Sequence, residues 1–210
     1  PASLDALTAL KKKTKKHPLY PEINYRIANV TYAQRDYDAA LKTADALIKQ
    51  FPDHHRVLEA QALRGEIFMG QGELLRAADA FRQVPPDDAQ LYDYAIFQAS
   101  KIYKALERYD LLRKHLQAYI DRDDANERPR VSEALYWIGW SLQQEARGTE
   151  AFPLFENALT RFGNDPKARA VGAILSAYAD LTKRLSKTDS TLPDFSTWLQ
   201  DATELSLADG

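Results

Sequence analysis

The sequence predicts an all-α fold, a solenoid of antiparallel helix pairs. Three observations carry this. Ala6, Ala40, Ala77, Leu112 and Ala151 each open a short apolar helical pattern, at spacings of 34, 37, 35 and 39 residues. A recurrence of about 34 residues built from two helices marks a helical repeat array. A small residue (Ala28, Gly65, Ser100 or Gly139) stands in the preceding helix of each complete unit, where two helix backbones would cross closely. Prolines and glycines punctuate the pattern at matching places.

Taken in order, the apolar periodicity predicts helices over 3–16, 22–34, 37–50, 55–70, 73–84, 88–105, 108–121, 130–146, 149–162, 166–184 and 194–206. Pro18, Pro52 and Pro85-Pro86 cannot continue a helix. Asp165-Pro166 reads as an N-cap followed by proline in the first turn. Gly148 and Gly163 suit chain reversals, and Gly70-Gln71-Gly72 is a turn. Glu127-Arg128-Pro129 breaks the chain before the fourth complete unit.

The clearest unit runs from Asn24 to Asp53. It holds Ala28, then Asp36-Tyr37-Asp38-Ala39-Ala40-Leu41, Ala44, Leu47 and Phe51-Pro52-Asp53. The next has Gly65, Phe68, Ala77 and Phe81. A degenerate third has Ser100, Tyr103, Leu112 and Leu116, and a fourth has Tyr136-Trp137-Ile138-Gly139, Ala151, Phe155 and Ala158. These units resemble tetratricopeptide repeats. The resemblance covers residues 1 to about 180 and implies a right-handed superhelix of antiparallel helix pairs. Its expected parts are a half-repeat at 3–18, repeats at 21–53, 57–87, 88–124 and 130–164, and a partial unit at 165–184. A polar loop at 185–193 and a helix at 194–210 follow. That last helix, with Phe195, Trp198, Leu199 and Leu205, reads either as a cap or as a docking element. The opening half-repeat leaves the helix face around Ala6 and Leu10 uncovered, so Pro1 is expected to mark a boundary within a longer protein.

Bulk composition narrows the functional classes. The 210 residues carry a net charge of −2, which argues against wholesale binding of nucleic-acid phosphates. No apolar run approaches the ~20 residues that span a bilayer. The absence of cysteine excludes disulfides, thiolate zinc sites and a cysteine nucleophile.

The residues that carry chemistry are sparse. His54 and His55 are neighbours, and neighbours on a helix point apart, so they make a poor metal pair; His17 and His115 have no spaced partner. The acidic stretches Asp121 to Asp124 and Asp87-Asp88 lack the glycine and closing glutamate of a calcium loop. Gly70-Gln71-Gly72 lacks the third glycine and the strand of a dinucleotide site. No nucleophile elbow occurs. The sequence therefore predicts no enzyme, no cofactor and no metal site. The run Lys11, Lys12, Lys13, Lys15 and Lys16 reads as a solvated face favouring the helix dipole, or as a patch for an acidic partner or anionic lipid.

The resemblance implies a concave face lined by the first helix of each unit, binding an extended peptide or a helix of a partner protein. By position, that places Glu22, Tyr25, Arg26, Asn29 and Tyr32 on the inner face of the first unit, and Glu59, Ala62, Leu63, Glu66 and Met69 on that of the second. The third contributes Tyr94, Phe97, Gln98, Lys101 and Lys104, and the fourth Glu133, Tyr136, Trp137, Trp140 and Gln143. The aromatic trio Tyr136, Trp137 and Trp140 suits binding anchors, or packing between repeats. Lys101 and Lys104 beside Phe97 suit a carboxylate, or stand solvated. Some members of the family clamp a chaperone's C-terminal carboxylate with lysine, asparagine and arginine at set groove positions; Arg26 and Asn29 occupy plausible slots, but Tyr25, Ala62 and Leu63 do not, so that role is not expected.

The expected function is thus a non-catalytic protein–protein interaction scaffold with an unknown protein or peptide partner, no nucleic acid and no transmembrane segment. The alternatives are a self-associating structural module (a homo-oligomer) and an accessory region of a larger envelope protein or enzyme. The stretch Tyr136 to Leu142, with Phe155 to Leu159 and Phe162, is similar to bacterial envelope members of the family, which points to the periplasm or cell envelope rather than the cytoplasm.

Overall fold

A computed structural model describes residues 2–15, 17–122 and 130–187. Among these are ten α-helices: α1 (Ala2–Lys13), α2 (Tyr20–Ala33), α3 (Tyr37–Gln50), α4 (Arg56–Gly70), α5 (Leu74–Arg82), α6 (Ala89–Ala105), α7 (Tyr109–Ile120), α8 (Val131–Gln144), α9 (Gly148–Phe162) and α10 (Val171–Leu185). The architecture is all-α, as the repeat frame requires. Lys16, the Glu127-Arg128-Pro129 break, residues 188–193 of the expected polar loop and the helix expected over 194–210 lie outside the described residues.

The chain divides into two units, Pro1–Glu107 and Arg108–Gly210. In the first, each helix from α1 to α5 packs on the next, and α2, α4 and α6 also touch in sequence. In the second, α7 packs on α8, α8 on α9 and α9 on α10, while α8 also meets α10.

In three helix pairs, α2–α3, α4–α5 and α8–α9, the crossing is set by size. Gly65 of α4 is buried under Phe81 of α5, and a Cβ added there would lie 2.6 Å from the phenyl ring. Gly139 of α8 repeats the arrangement beneath Phe155 of α9, again with no room for a Cβ. Both phenylalanines are wholly buried, which stabilises each crossing by about 1.5–3 kcal/mol through removal of the ring from water. In the α2–α3 pair the same slots hold Ala28 and Ala44, a small residue against a small residue. These join Ala40, Leu63 and Ile67 in one core cluster, onto which Tyr25, Tyr32, Tyr37 and Leu41 pack.

The turn between the paired helices also recurs. Arg35, Gly72, Glu107 and Ala146 follow α2, α4, α6 and α8, and all four adopt left-handed φ values of 55–78°. After three of them the next residue's N–H reaches five residues back: Asp36 to Thr31 (3.0 Å), Glu73 to Phe68 (2.9 Å) and Arg147 to Leu142 (2.8 Å). This closing bond satisfies the carbonyls that the helix end leaves open. The reversal before α9 is made by Ala146, not by Gly148, which opens that helix. Asp36 caps α3 by accepting from the Ala39 N–H (3.2 Å), and Asp88 caps α6 by accepting from the Leu91 N–H (3.0 Å).

One start differs from expectation. The helix predicted from 166 begins at Val171. The Asp165 carboxylate accepts from the Lys167 N–H (2.9 Å), two residues on, which holds a turn and not a helix cap. Buried Ser132 then captures the next stretch: its Oγ donates to the Arg169 carbonyl (2.7 Å) and accepts from the Arg169 N–H (3.0 Å). Ala170, at φ 62°, turns the chain into α10. In α1, Ala6 and Leu10 are exposed where α3 buries Ala40 and Ala44.

Two stability predictions come from these packing rules. Gly65→Ala should destabilise the chain by about 1–3 kcal/mol, because the methyl overpacks against Phe81. Combined with Phe81→Leu the two changes should be non-additive, with a coupling of about 1 kcal/mol or more in urea unfolding. Additive losses would mean that the slot is not tight. At the turns, Arg35→Gly and Ala146→Gly should each stabilise by about 0.5 kcal/mol, since relief of the left-handed conformation outweighs the added freedom of the unfolded chain. Gly72→Ala should cost about 1 kcal/mol for the same reason, although space around it is open.

Candidate functional site

In the first unit, α3 and α5 pack on one side of α2, α4 and α6, and the tyrosines and charged residues of those three helices line another. The resulting face has two polar clusters. At the α2 end, Glu22 accepts from Arg26 Nε (2.9 Å) and from Arg56 Nε (2.5 Å). Arg56 also reaches Glu59 (2.6 Å), and its guanidinium lies 5.1 Å from the centre of the Tyr25 ring. The hydrogen bond from Arg56 is the main reason the Glu22 carboxyl titrates below its ordinary range, against an opposing push from partial burial. Its two glutamate partners push the Arg56 guanidinium up. Beside this cluster opens a depression of about 550 Å³ lined by Leu7, Tyr25, Val30, Arg26, Asn29, Glu22 and Arg56. The Asn29 side-chain amide donates to the Tyr25 carbonyl (3.1 Å), which holds it at the rim.

The second cluster centres on Glu66 of α4. It accepts from the Tyr32 hydroxyl of α2 (3.4 Å), from the Tyr94 hydroxyl of α6 and from Gln98 Nε2 of α6 (3.4 Å). Gln98 Nε2 also donates to the Tyr94 oxygen (2.9 Å), and Lys101 Nζ donates to the Gln98 carbonyl (3.2 Å). One carboxylate therefore ties three helices together. Partial burial, followed by the hydrogen bond to Glu66, pushes the Tyr94 phenol up to about 12. Burial, then the Glu66 charge, raises Tyr32 in the same direction. Tyr94 also meets Phe81 edge-on, with ring centres 6.1 Å apart.

Most sequence-predicted residues of the first unit are at least partly exposed. Tyr25, Asn29, Tyr32 and Glu66 are half-buried, and Arg26, Lys101 and Lys104 are exposed. Phe97 is a correction. It is 1% exposed and belongs to the core, because it faces inward with Ile96 and Ser100. Ala62 and Leu63 are likewise buried. The residue missed by sequence reasoning is Arg56, which sits one repeat length, 34 residues, after its partner Glu22. Tyr32 and Glu66 are also 34 residues apart. Opposite or hydrogen-bonding types at that spacing were the available signal.

In the second unit Tyr136, Trp137 and Trp140 are half-buried. Trp140 packs edge-on against Tyr109 of α7 (5.7 Å, 81°), and Tyr136 lies tilted against Phe155 (6.3 Å, 32°). Among the lysines of the basic run, Lys11 lies 5.9 Å from the Tyr20 ring centre, and Lys12, Lys13 and Lys15 are exposed. The His54 and His55 rings lie tilted with centres 4.3 Å apart, and burial, reinforced by His55, lowers the His54 pKa. Among the described residues no group of three His, Cys, Asp or Glu could hold a metal ion, and no helix is long and apolar enough to cross a membrane.

Comparison with known proteins agrees with this geometry. The tetratricopeptide repeat model matches residues 4–55 and 25–92. The crystal structure of MamA protein superposes with a TM-score of 0.53 at 18% identity, covering 80% of this chain and 87% of that one. The MamA RS-1 ArsTM double mutant gives 0.52 at 14% identity, covering 90% and 96%. At these identities the likeness is one of fold. No curated protein matches the chain by sequence.

The tyrosines make the first unit sensitive to alkali. A phenol held above its unfolded value near 10 adds stability that is complete below that pH and is lost as pH rises through the folded value near 12. The urea midpoint should therefore fall between pH 10 and 12, and Tyr94→Phe should flatten that fall. An unchanged slope in the variant would remove Tyr94 as its source.

Proposed function

We propose, from the premise that the chain is a tetratricopeptide repeat protein, that its first unit holds an extended peptide or a helix of a partner protein along α2, α4 and α6. Tetratricopeptide repeats are protein–protein interaction scaffolds, and proteins built from them are generally non-catalytic. The observation that supports the finer reading is the row Tyr25, Arg26, Asn29, Tyr32, Glu66, Tyr94, Gln98 and Lys101. These side chains stay half-buried or exposed on one helix set, beside a depression large enough for a bulky side chain. Rings held by hydrogen bonds or by the core below them lose little freedom when a partner covers them, which suits them to binding. The clusters described are ion pairs and neutral hydrogen bonds, an arrangement that suits a binding surface.

The test is position-specific crosslinking in cells of the native organism. A photoreactive amino acid in place of Arg26 or Lys101 should trap a partner protein, and one in place of Arg82 on the exposed side of α5 should not. Capture from Arg82 alone would move the interface off the α2–α4–α6 face.

A further inference from the structure

The inner-face carboxylates of the first unit are not equivalent. Glu22 is paired with Arg26 and Arg56, and Glu59 with Arg56. Glu66 has neutral donors alone: two phenols and a carboxamide. Among the described residues no lysine or arginine forms an ion pair with it. Lys101, the cation nearest in the network, places its ammonium on the Gln98 carbonyl. An ionised carboxylate offers about four acceptor sites, and the three donors leave room for one more. Those donors fix its position without neutralising its charge. Tyr94, 40% exposed, stands beside it with its ring available on the surface.

We infer that Glu66 is the subsite for a basic side chain of the partner, with arginine favoured over lysine. This rests on the peptide-binding reading of the same face and names the chemistry that the face selects. A guanidinium can donate a charge-assisted hydrogen bond to Glu66 and lie flat on the Tyr94 ring at once. An ammonium supplies the charge without the planar stacking surface. The neutral donors around Glu66 make the cation's contribution a net gain, since no existing ion pair has to be broken.

The experiment uses a phage-displayed library of random linear peptides, selected on the whole chain. The selected pool should be enriched in arginine over the input. A selected peptide should lose affinity about tenfold or more when its arginine becomes glutamine, the scale of a charge-assisted hydrogen bond. On Glu66→Gln, whose fold is checked by helical content and melting temperature, the same peptide change should cost nothing further. The variant must still bind the glutamine peptide measurably, so that a lost arginine effect is not mistaken for a folding defect. A pool without basic enrichment, or an arginine effect that persists in Glu66→Gln, would overturn the subsite and leave peptide binding standing. A pool of acidic peptides lost on Lys101→Glu would overturn it in favour of the lysines. Failure to select any peptide would overturn both readings.

Discussion

Two helices can approach closely only where one of them gives up its side chain, and this crossing underlies the rest of the molecule. Gly65 accepts the Phe81 ring where a methyl group would not fit, and Gly139 accepts that of Phe155. The consequence travels outward from the core. Phe81, seated over Gly65, meets the edge of Tyr94, and Tyr94 donates to Glu66, the residue next to Gly65 in α4. The apolar contact and the polar cluster on the surface are therefore two ends of one short path. Dispersion and burial hold the inner end, and hydrogen bonds of modest net value hold the outer one.

The polar clusters have a second role in such a stack. Each helix pair contacts its neighbours and little else, so the stability of the array depends on the terms between adjacent units. Glu22 with Arg56 and Tyr32 with Glu66 supply such terms at a separation of one repeat. A half-buried ion pair such as Glu22–Arg56 adds little net energy, because desolvation offsets attraction, and a hydrogen bond such as Tyr32–Glu66 is of modest net value. Their geometric effect is larger: each ties one first helix to the next and holds the surface side chains in fixed places.

Much of the fold was legible because helical repeats write their core pattern several times. α3 spans the expected 37–50, and α4 to α9 lie within two residues of their expected limits. Proline stops and apolar periodicity are local signals, and local signals place local structure. The errors occur where a distant group decides. Asp165-Pro166 looks like a helix start, but Ser132, far back in α8, binds the backbone at Arg169 and delays the helix. Counting from the repeat template placed Phe97 outside, but it lies three residues before buried Ser100, on the same side of α6, and points into the core. Arg56 escaped because it stands at the first position of α4, where reading by template expects only a helix start. Glu66 was picked out from its slot alone; its three donors come from two other helices, and no single segment of sequence displays them together.

The paired sizes at the crossings also define what can be exchanged within the array. Gly65 with Phe81 and Gly139 with Phe155 match a glycine to a phenyl ring, whereas Ala28 with Ala44 matches small to small. Grafting α4 onto α3 would set a glycine over an alanine and leave a void, while grafting α2 onto α5 would drive a methyl group into a phenyl ring. The inheritable module is the whole hairpin, turn included, and any recombination that cuts between its two helices separates residues whose volumes were settled together.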